Sequence, residues 1–89
     1  MSETEVVIAN RLGLHARAAA RFVHVAYRFK ATISVVKEGS RVDGKSILGL
    51  LTLAAAKGTR LRLTANGPDE REALAELGEL VRKFFGEEE

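Results

Sequence analysis

Residues 16–36 read ARAAARFVHVAYRFKATISVV, a stretch in which the spacing of the apolar residues changes. The first half predicts one apolar helix face, because apolar residues recur there at intervals of three and four: Ala19, Phe22, Val23, Ala26 and Tyr27. The second half is a β-branched run typical of a strand: Ile33, Val35 and Val36. The stretch therefore predicts an amphipathic helix that leads directly into a strand.

The neighbouring segments predict a loop on one side of this stretch and a hairpin on the other. A first strand is expected over about residues 4–9, and residues 10–15, which contain Gly13, are expected to form a loop. Residues 38–40 predict a turn, from which residues 41–43 return as a third strand. The first half of the chain thus contains three strands and one helix.

The next segment predicts a short helix and a fourth strand. Ser46 is a favoured N-cap for a helix whose apolar residues run to Ala54, and Gly58 suits its C-terminal stop. Leu61 and Leu63 then alternate with arginines, which predicts a strand with one wet face.

The last segment predicts a helix that begins near Pro68. Acidic residues in its first turn suit the positive end of the helix dipole. Its apolar face ends at Phe84, Gly86 terminates it, and residues 87–89 are expected to form a frayed tail. The resulting order, β-α-β-β-α-β-α, predicts an α+β fold over one domain, residues 1–89. This fold is an open-faced β-sandwich, in which three helices cover one face of a four-stranded antiparallel sheet.

The composition excludes several kinds of site. Hydrophobic residues make up 46% and charged residues 29% of the chain, and no apolar run approaches the ~18–20 residues of a transmembrane helix. The absence of cysteine excludes disulfides and cysteine-ligated zinc. His15 and His24 are too few for a structural zinc site. We therefore expect a cytoplasmic protein with no cofactor, no metal and no membrane insertion.

Charge is divided unevenly along the sequence. Residues 1–65 contain 11 basic and 4 acidic residues, whereas residues 66–89 contain 3 basic and 8 acidic ones. A basic body favours an anionic partner such as a phosphate, an acidic protein or a nucleic acid. Solvated surface charge is the simpler explanation for most of these residues.

Residues 39–46, GSRVDGKS, match the phosphate-binding pattern G-x-x-x-x-G-K-[ST]. The match is rejected because residues 40–43 predict a hairpin arm rather than an open loop. The following strand also offers no terminal aspartate for magnesium, and the chain is short for a nucleotide-hydrolysing domain.

His15 lies where the predicted loop meets the helix that begins at Ala16. The first N–H groups of a helix lack intrahelical acceptors and, with the helix dipole, form an anion site. Arg17 and Arg21 lie near this end, where cations are disfavoured by about 0.3–1 kcal/mol each. A bound phosphoryl group on the His15 imidazole would reverse that effect, whereas a loop histidine beside surface arginines is the plainer reading. His24, off the apolar face, is expected to be a bystander.

Residues 10–20, NRLGLHARAAA, resemble the active-site segment of the HPr family, the histidine phosphocarrier proteins of the bacterial sugar phosphotransferase system. The family pattern G-L-H-x-R-x-A is matched by Gly13, Leu14, His15, Arg17 and Ala19. Residues 44–51, GKSILGLL, resemble the family's regulatory serine segment, and residues 57–59 also fit. The resemblance extends over nearly the whole chain and implies the sandwich fold predicted above.

The resemblance implies a carrier rather than a free-standing catalyst. His15 would accept a phosphoryl group through Nδ1 from phosphorylated Enzyme I, which is charged by phosphoenolpyruvate, and pass it to a IIA domain. Arg17 would clamp the phosphate, and Ser46 would be a site for a serine kinase and phosphorylase. The family usually has proline where this chain has Ala18, but alanine should preserve the helix. The histidine at position 15, where non-carrier regulatory paralogues have glutamine, argues against that class.

The helix after Ser46 is apolar on more than one side, which predicts partial exposure of Ile47 and Leu51 beside His15, with Leu50 and Leu53 in the core. We expect Enzyme I and IIA domains to bind a docking surface, hereafter the predicted docking surface, that comprises Ala16, Ala20, Arg21, Lys45, Ile47, Leu48 and Leu51. The protein is expected to be a monomer.

Two other functions stay open from the sequence. A paralogue in a nitrogen-type or regulatory phosphorelay would share every motif. A basic nucleic-acid-binding module would use Arg60 and Arg62, but the chain has only five aromatic residues, 4 Phe and 1 Tyr, and no strand pair of them to stack bases. We therefore expect no nucleic-acid partner.

Overall fold

The computed structural model describes residues 1–87, and the tail predicted at residues 88 and 89 lies outside the described residues. Its strands are β1 (Ser2–Val7), β2 (Thr32–Lys37), β3 (Ser40–Asp43) and β4 (Arg60–Asn66). Its helices are α1 (Ala16–Ala26), α2 (Ile47–Thr52) and α3 (Glu70–Arg82), followed by a 3₁₀ turn, Phe84–Gly86. The predicted order of elements is confirmed.

The strands of this region form one antiparallel sheet in the order β1-β4-β2-β3. β4 pairs with β1 on one side and with β2 on the other, where Val35 lies opposite Leu63. Leu61 and Leu63 are buried, whereas Arg60 and Arg62 are exposed. One face of the sheet is therefore apolar and the other is wet, as alternation in an antiparallel sheet predicts.

The helices cover the apolar face, and the core lies between the two layers. α1 buries Ala18, Ala19, Phe22, Val23 and Ala26. α3 buries Ala73, Leu74, Leu77, Gly78 and Val81. Within residues 1–87 the architecture is thus the predicted open-faced β-sandwich, with four antiparallel strands and three helices on one face.

Three elements, α1, α2 and β1, have bounds that differ from the predicted ones. Tyr27 is 67% exposed rather than part of the buried face, because α1 ends at Ala26 and Tyr27 is its C-cap. The short helix α2 ends at Thr52, and Ala54 has a left-handed φ of 49°. Gly58, predicted to stop this helix, instead lies in the turn before β4. The first strand is shifted two residues toward the N-terminus, as Ser2–Val7.

The end of the last helix also differs from the prediction. α3 stops at Arg82, and the backbone turns left-handed at Phe84 and Phe85, with φ of 59° and 54°. This turn buries Phe85 completely and leaves Phe84 only half-buried. The core residue is therefore one position later than a continuous helix would place it.

The segment that matches the phosphate-binding pattern forms a hairpin and not an open loop. Residues 40–43 are strand β3, with Val42 opposite Val35 and Arg41 opposite Val36. Gly39, with φ of 85°, is in the turn between the strands. The hairpin predicted as the reason to reject the motif is confirmed.

Candidate functional site

His15 is the N-cap of α1. Its backbone is extended (φ −83°, ψ −179°), and its carbonyl oxygen accepts the first helical hydrogen bond, from the N–H of Ala19 at 2.8 Å. Its Nδ1 accepts a hydrogen bond from the backbone N–H of Arg17 at 3.3 Å. Because Nδ1 accepts, its lone pair points toward the first turn of the helix, and the side chain as a whole is 28% exposed.

The loop before His15 is braced by its neighbours. Gly13 has a φ of 70°, and a Cβ there would lie 2.6 Å from the carbonyl oxygen of Ala55. That carbonyl accepts from the N–H of Leu14 at 2.8 Å, and the buried Asn10 donates from Nδ2 to the carbonyl oxygen of Gly13 at 2.8 Å. The loop is therefore held without the proline that the family usually has, and α1 still includes Ala18, as expected.

The second ring nitrogen of His15 contacts a residue that the sequence placed in a frayed tail. Nε2 lies 2.5 Å from Oε2 of Glu87, and Asn10 donates to Oε1 of the same carboxylate at 2.9 Å. Burial raises the pKa of Glu87, but the hydrogen bonds from Asn10 and His15 and the charges of His15 and Arg21 hold it below its usual 4.5. The carboxylate is thus a charged acceptor beside the imidazole.

The start of α1 has the features of an anion site around Nδ1. Its first turn contains no acidic residue, and its first N–H groups have no acceptor within the helix. Ala16 and Arg17 are both exposed to solvent. An anionic group bonded to Nδ1 would lie against these N–H groups, within a region of favourable helix dipole.

Two cations predicted for the docking surface are engaged within the chain. Arg21 donates from Nη1 to the carbonyl oxygen of Phe85 at 2.6 Å. Lys45 donates from Nζ to the carbonyl oxygen of Phe29 at 2.8 Å and lies 5.8 Å from the centre of the Tyr27 ring. Both side chains therefore hold the fold together, which the sequence analysis did not predict.

The apolar part of the predicted docking surface is exposed. Ile47 is 41% and Leu48 77% exposed, whereas Leu51 is half-buried and Leu50 is fully buried. The partial exposure expected for Ile47 and Leu51 is confirmed. α2 packs against α1, and Ala20 on α1 is exposed, so apolar surface extends over two adjacent helices.

Ser46 has the role of a helix cap. Its Oγ accepts a hydrogen bond from the N–H of Gly49 at 3.0 Å, which confirms the predicted N-cap of α2. The residue is half-buried, so its hydroxyl lies at the boundary between the helix and solvent.

Sequence reasoning missed Asn10 and Glu87 as neighbours of the imidazole. Asn10 was only a loop residue, and a glutamate in a terminal acidic run gives no signal that separates it from solvated charge. Among residues 1–87, no group of three histidine, cysteine or acidic side chains is arranged to hold a metal ion. No helix in the same range is both long and apolar enough to span a membrane. His24 is exposed on α1, as expected for a bystander.

Comparison with known proteins identifies the family. Residues 2–83 match the model described as "PTS HPr component phosphorylation site". The phosphocarrier protein HPr of Neisseria meningitidis serogroup A is 49% identical over 89 residues and that of Pseudomonas aeruginosa 50% identical over 90, with 100% of each chain covered in both cases. The crystal structure of HPr from Thermoanaerobacter tengcongensis is similar with a TM-score of 0.95 and 43% identity, also over 100% of both chains.

A second structure of the Thermoanaerobacter protein, described as an HPr dimer, has a TM-score of 0.78 and 42% identity over 98% of this chain and 100% of the other. The monomer expected from the sequence therefore stays a prediction. Both the full-length sequence similarity and the shared fold agree with the motifs at His15 and Ser46, and the chain belongs to the HPr family of phosphocarrier proteins of the phosphotransferase system.

Proposed function

We propose that the chain accepts a phosphoryl group on Nδ1 of His15 from phosphorylated Enzyme I and passes it to a IIA domain. The observation that carries the proposal is the orientation of the imidazole. Nε2 contacts Glu87 at 2.5 Å, which leaves Nδ1 facing the first turn of α1. A nucleophilic nitrogen at the N-terminus of a helix is suited to a group that brings a dianion with it.

The transfer step replaces one phosphorus–nitrogen bond with another. The Nδ1 lone pair of His15 forms a bond to phosphorus while the phosphorus–nitrogen bond of the donor histidine breaks, and its electron pair stays on the donor imidazole. The Arg17 N–H, which now contacts Nδ1, can then donate to a phosphoryl oxygen. Because Enzyme I and the IIA domain also carry the phosphoryl group covalently on a histidine, each transfer to or from His15 forms and breaks the same type of bond and involves no large change in bond energy.

The Arg17 guanidinium is the proposed phosphate clamp. It is exposed beside the N-cap, and its planar donors match the oxygens of a phosphoryl group. The cost of a cation at this end of a helix is offset when the phosphate dianion is present. Arg17 would therefore contribute most in the phosphorylated state and in the transition state that leads to it.

The proposed docking surface for both partners is the exposed apolar patch on α1 and α2. Ala16 and Ala20 contribute from α1 and Ile47, Leu48 and Leu51 from α2. Arg21 and Lys45 contribute charge at its edge, although their donors are engaged with backbone carbonyls. An apolar centre with a basic rim suits a partner whose own patch is apolar and acidic.

The alternatives are less well supported by the surface. The strands of the described region contain no aromatic residue, and Arg62 on the wet face lies 4.0 Å from Glu3. Neither feature favours a nucleic-acid platform. The proposal includes a cytoplasmic location and a monomer, as the resemblance to the family implies, and a nitrogen-type or regulatory relay would use the same His15 chemistry.

The test is phosphorylation with phosphoenolpyruvate and Enzyme I, followed by intact-mass and peptide mass spectrometry. We expect one phosphoryl group on His15, stable in base and lost in acid. His15→Ala should gain none, and His24→Ala, which alters an exposed histidine on the same helix, should be labelled like wild type. Equal labelling of His15→Ala and wild type would contradict the proposal.

A further inference from the structure

The end of the described chain approaches the imidazole of His15. Glu87 contacts Nε2 of His15 through Oε2 at 2.5 Å and accepts from Nδ2 of Asn10 through Oε1 at 2.9 Å. Its side chain is only 12% exposed, less than that of His15 itself. A solvated tail carboxylate would not be so enclosed or have two separate partners.

The position of Glu87 is built by the turn that precedes it. The buried Phe85 anchors the turn in the core, and Arg21 holds the carbonyl oxygen of Phe85. The N–H of Glu87 donates to the carbonyl oxygen of Phe84 at 2.9 Å, which closes the turn. The backbone of the turn and the side chain of Phe85 are thus held by contacts other than the one between Glu87 and His15.

Asn10 fixes the orientation of the carboxylate from the other side. It is completely buried, and its amide donates both to the carbonyl oxygen of Gly13 and to Glu87. An amide that uses two donors in this way requires acceptors at both positions. The loop that carries His15 and the turn that carries Glu87 are therefore joined through one side chain.

These contacts determine which ring nitrogen has the proton. A carboxylate only accepts, so Nε2 must donate to it, while Nδ1 accepts from the N–H of Arg17. We propose that Glu87 is a positioning residue that holds His15 in the Nε2–H tautomer and keeps the Nδ1 lone pair available to phosphorus. This inference rests on the proposed function of His15 as the phosphate acceptor.

The same carboxylate acts on the charge of the transfer step. When Nδ1 forms its bond to phosphorus, the proton on Nε2 stays in place and the ring becomes positively charged. Glu87 lies against that proton and balances the charge, as carboxylates paired with histidines do elsewhere. This electrostatic stabilisation is stronger once positive charge develops on the ring than in the neutral ring. The carboxylate therefore lowers the barrier to transfer in addition to fixing the orientation of the ring.

The test compares Glu87→Gln with wild type and with Glu79→Gln, which removes an exposed carboxylate of α3 that pairs with Lys83. ¹⁵N NMR of the unphosphorylated protein at alkaline pH reports the tautomer directly, and rapid-quench kinetics with phosphorylated Enzyme I report the transfer rate. For Glu87→Gln, whose amide oxygen still accepts but carries no charge, we expect transfer slower by about tenfold, because the charge assistance of one hydrogen bond is lost. Glu79→Gln should match wild type in both.

The two readouts separate a positioning role from a structural one. A Glu87→Ala protein with the wild-type tautomer population, or a Glu87→Gln protein with the wild-type transfer rate, would overturn the inference. Glu87→Ala, which removes the acceptor altogether, should lower the Nε2–H population and slow transfer, with an unchanged circular dichroism spectrum. If the wild-type protein gains no phosphoryl group on His15, both the proposed function and this inference fail. If wild type and Glu87→Gln are labelled at the same rate, only this inference fails.

Discussion

Arg21 donates from Nη1 to the carbonyl oxygen of Phe85 at 2.6 Å, a contact between residues 64 positions apart. It joins the first helix to the left-handed turn at the end of the described chain. Arg21→Met retains most of the aliphatic stem but removes the charged donor. We expect the free energy of unfolding to fall by about 1.5 kcal/mol, the lower end for hydrogen bonds to charged groups, because Arg21 is exposed.

Urea unfolding measures this loss, and Arg28→Met is the matched control. Arg28 is an exposed arginine in the turn after α1 and is 3.4 Å from Glu76, a surface pair expected to contribute little. If both variants lose the same stability, the Arg21 contact does not stabilise the turn.

The second prediction concerns the glycine of the His15 loop. Gly13→Ala would place a Cβ 2.6 Å from the carbonyl oxygen of Ala55 at a φ of 70°, so the backbone must move. We expect a loss of about 2–4 kcal/mol, from the left-handed backbone and the clash together. Gly39→Ala has a similar φ of 85° but no atom within 4 Å, and should lose only about 1 kcal/mol.

Thermal and urea unfolding of the two alanine variants give the comparison. The difference between them isolates the clash with Ala55 from the general cost of a positive φ. Equal losses would mean that the His15 loop is not braced by the segment after α2.

The sequence predicted the features of the fold that depend on neighbouring residues alone, such as helix faces and helix caps. The apolar face of α1 around Phe22 and the cap at Ser46 follow from helix periodicity and from the hydrogen bonding of a short polar side chain. The site residue His15 was also predicted from the sequence, because it directly precedes a helix and the residues around it form one continuous motif.

Long-range contacts account for what the sequence did not predict. A phenylalanine rarely adopts a positive φ, so nothing in the sequence indicates that the chain turns at Phe84 and buries Phe85. Glu87 reaches His15 only as a result of that turn and of the Arg21 contact. Similarly, the sequence around Lys45 is typical of a surface cation, and only the folded structure shows that its Nζ donates to the carbonyl oxygen of Phe29.

The third prediction tests the phosphate clamp. Arg17→Ala should leave the melting temperature unchanged, since the side chain is exposed and alanine is a good helix former. Transfer from Enzyme I should slow by about tenfold or more, because charge-assisted contacts to phosphate contribute about 1.5–3 kcal/mol each. Arg11→Ala, in the loop that precedes His15, is the control for loss of a nearby positive charge. Wild-type transfer rates in Arg17→Ala would exclude it as the clamp.

The fourth prediction concerns stability in acid. Asp69 accepts from the N–H groups of Lys30 and Ala31 at 2.9 Å each. The hydrogen bond from Lys30, together with that from Ala31, holds the pKa of Asp69 below its usual 3.8 although burial opposes this. A lowered pKa in the folded state contributes stability above pH 3.8, and this contribution is lost as the pH falls through the folded value.

Urea unfolding at a series of pH values checks the sign. Asp69→Asn should be less stable than wild type at neutral pH and should lose less stability on acidification. A residual slope should remain, because the pKa of Glu70 is also lowered, chiefly by the hydrogen bond from Ser2. Parallel curves for wild type and Asp69→Asn would show that this carboxylate does not contribute to the pH dependence.

The fifth prediction concerns Ser46, whose Oγ caps α2 immediately before the exposed Ile47 and Leu48. We propose that phosphorylation there is regulatory. A phosphate or aspartate at a helix N-cap is compatible with the dipole, so Ser46→Asp should keep its melting temperature or raise it. Ser46→Ala should lose about 0.5–2 kcal/mol. Transfer from Enzyme I should be slower in Ser46→Asp, because the new charge enters an apolar and basic surface proposed to meet acidic partners.

Melting curves and transfer rates measured on the same preparations distinguish a regulatory site from a cap alone. Ser40→Asp places the same charge on the exposed edge strand β3, beside the C-terminal end of α2 rather than at its N-cap, and should transfer at the wild-type rate. Because aspartate is as good a cap as serine, a change in the transfer rate of Ser46→Asp cannot come from loss of the helix. A Ser46→Asp protein that accepts phosphate as fast as Ser40→Asp would leave Ser46 with a structural role only.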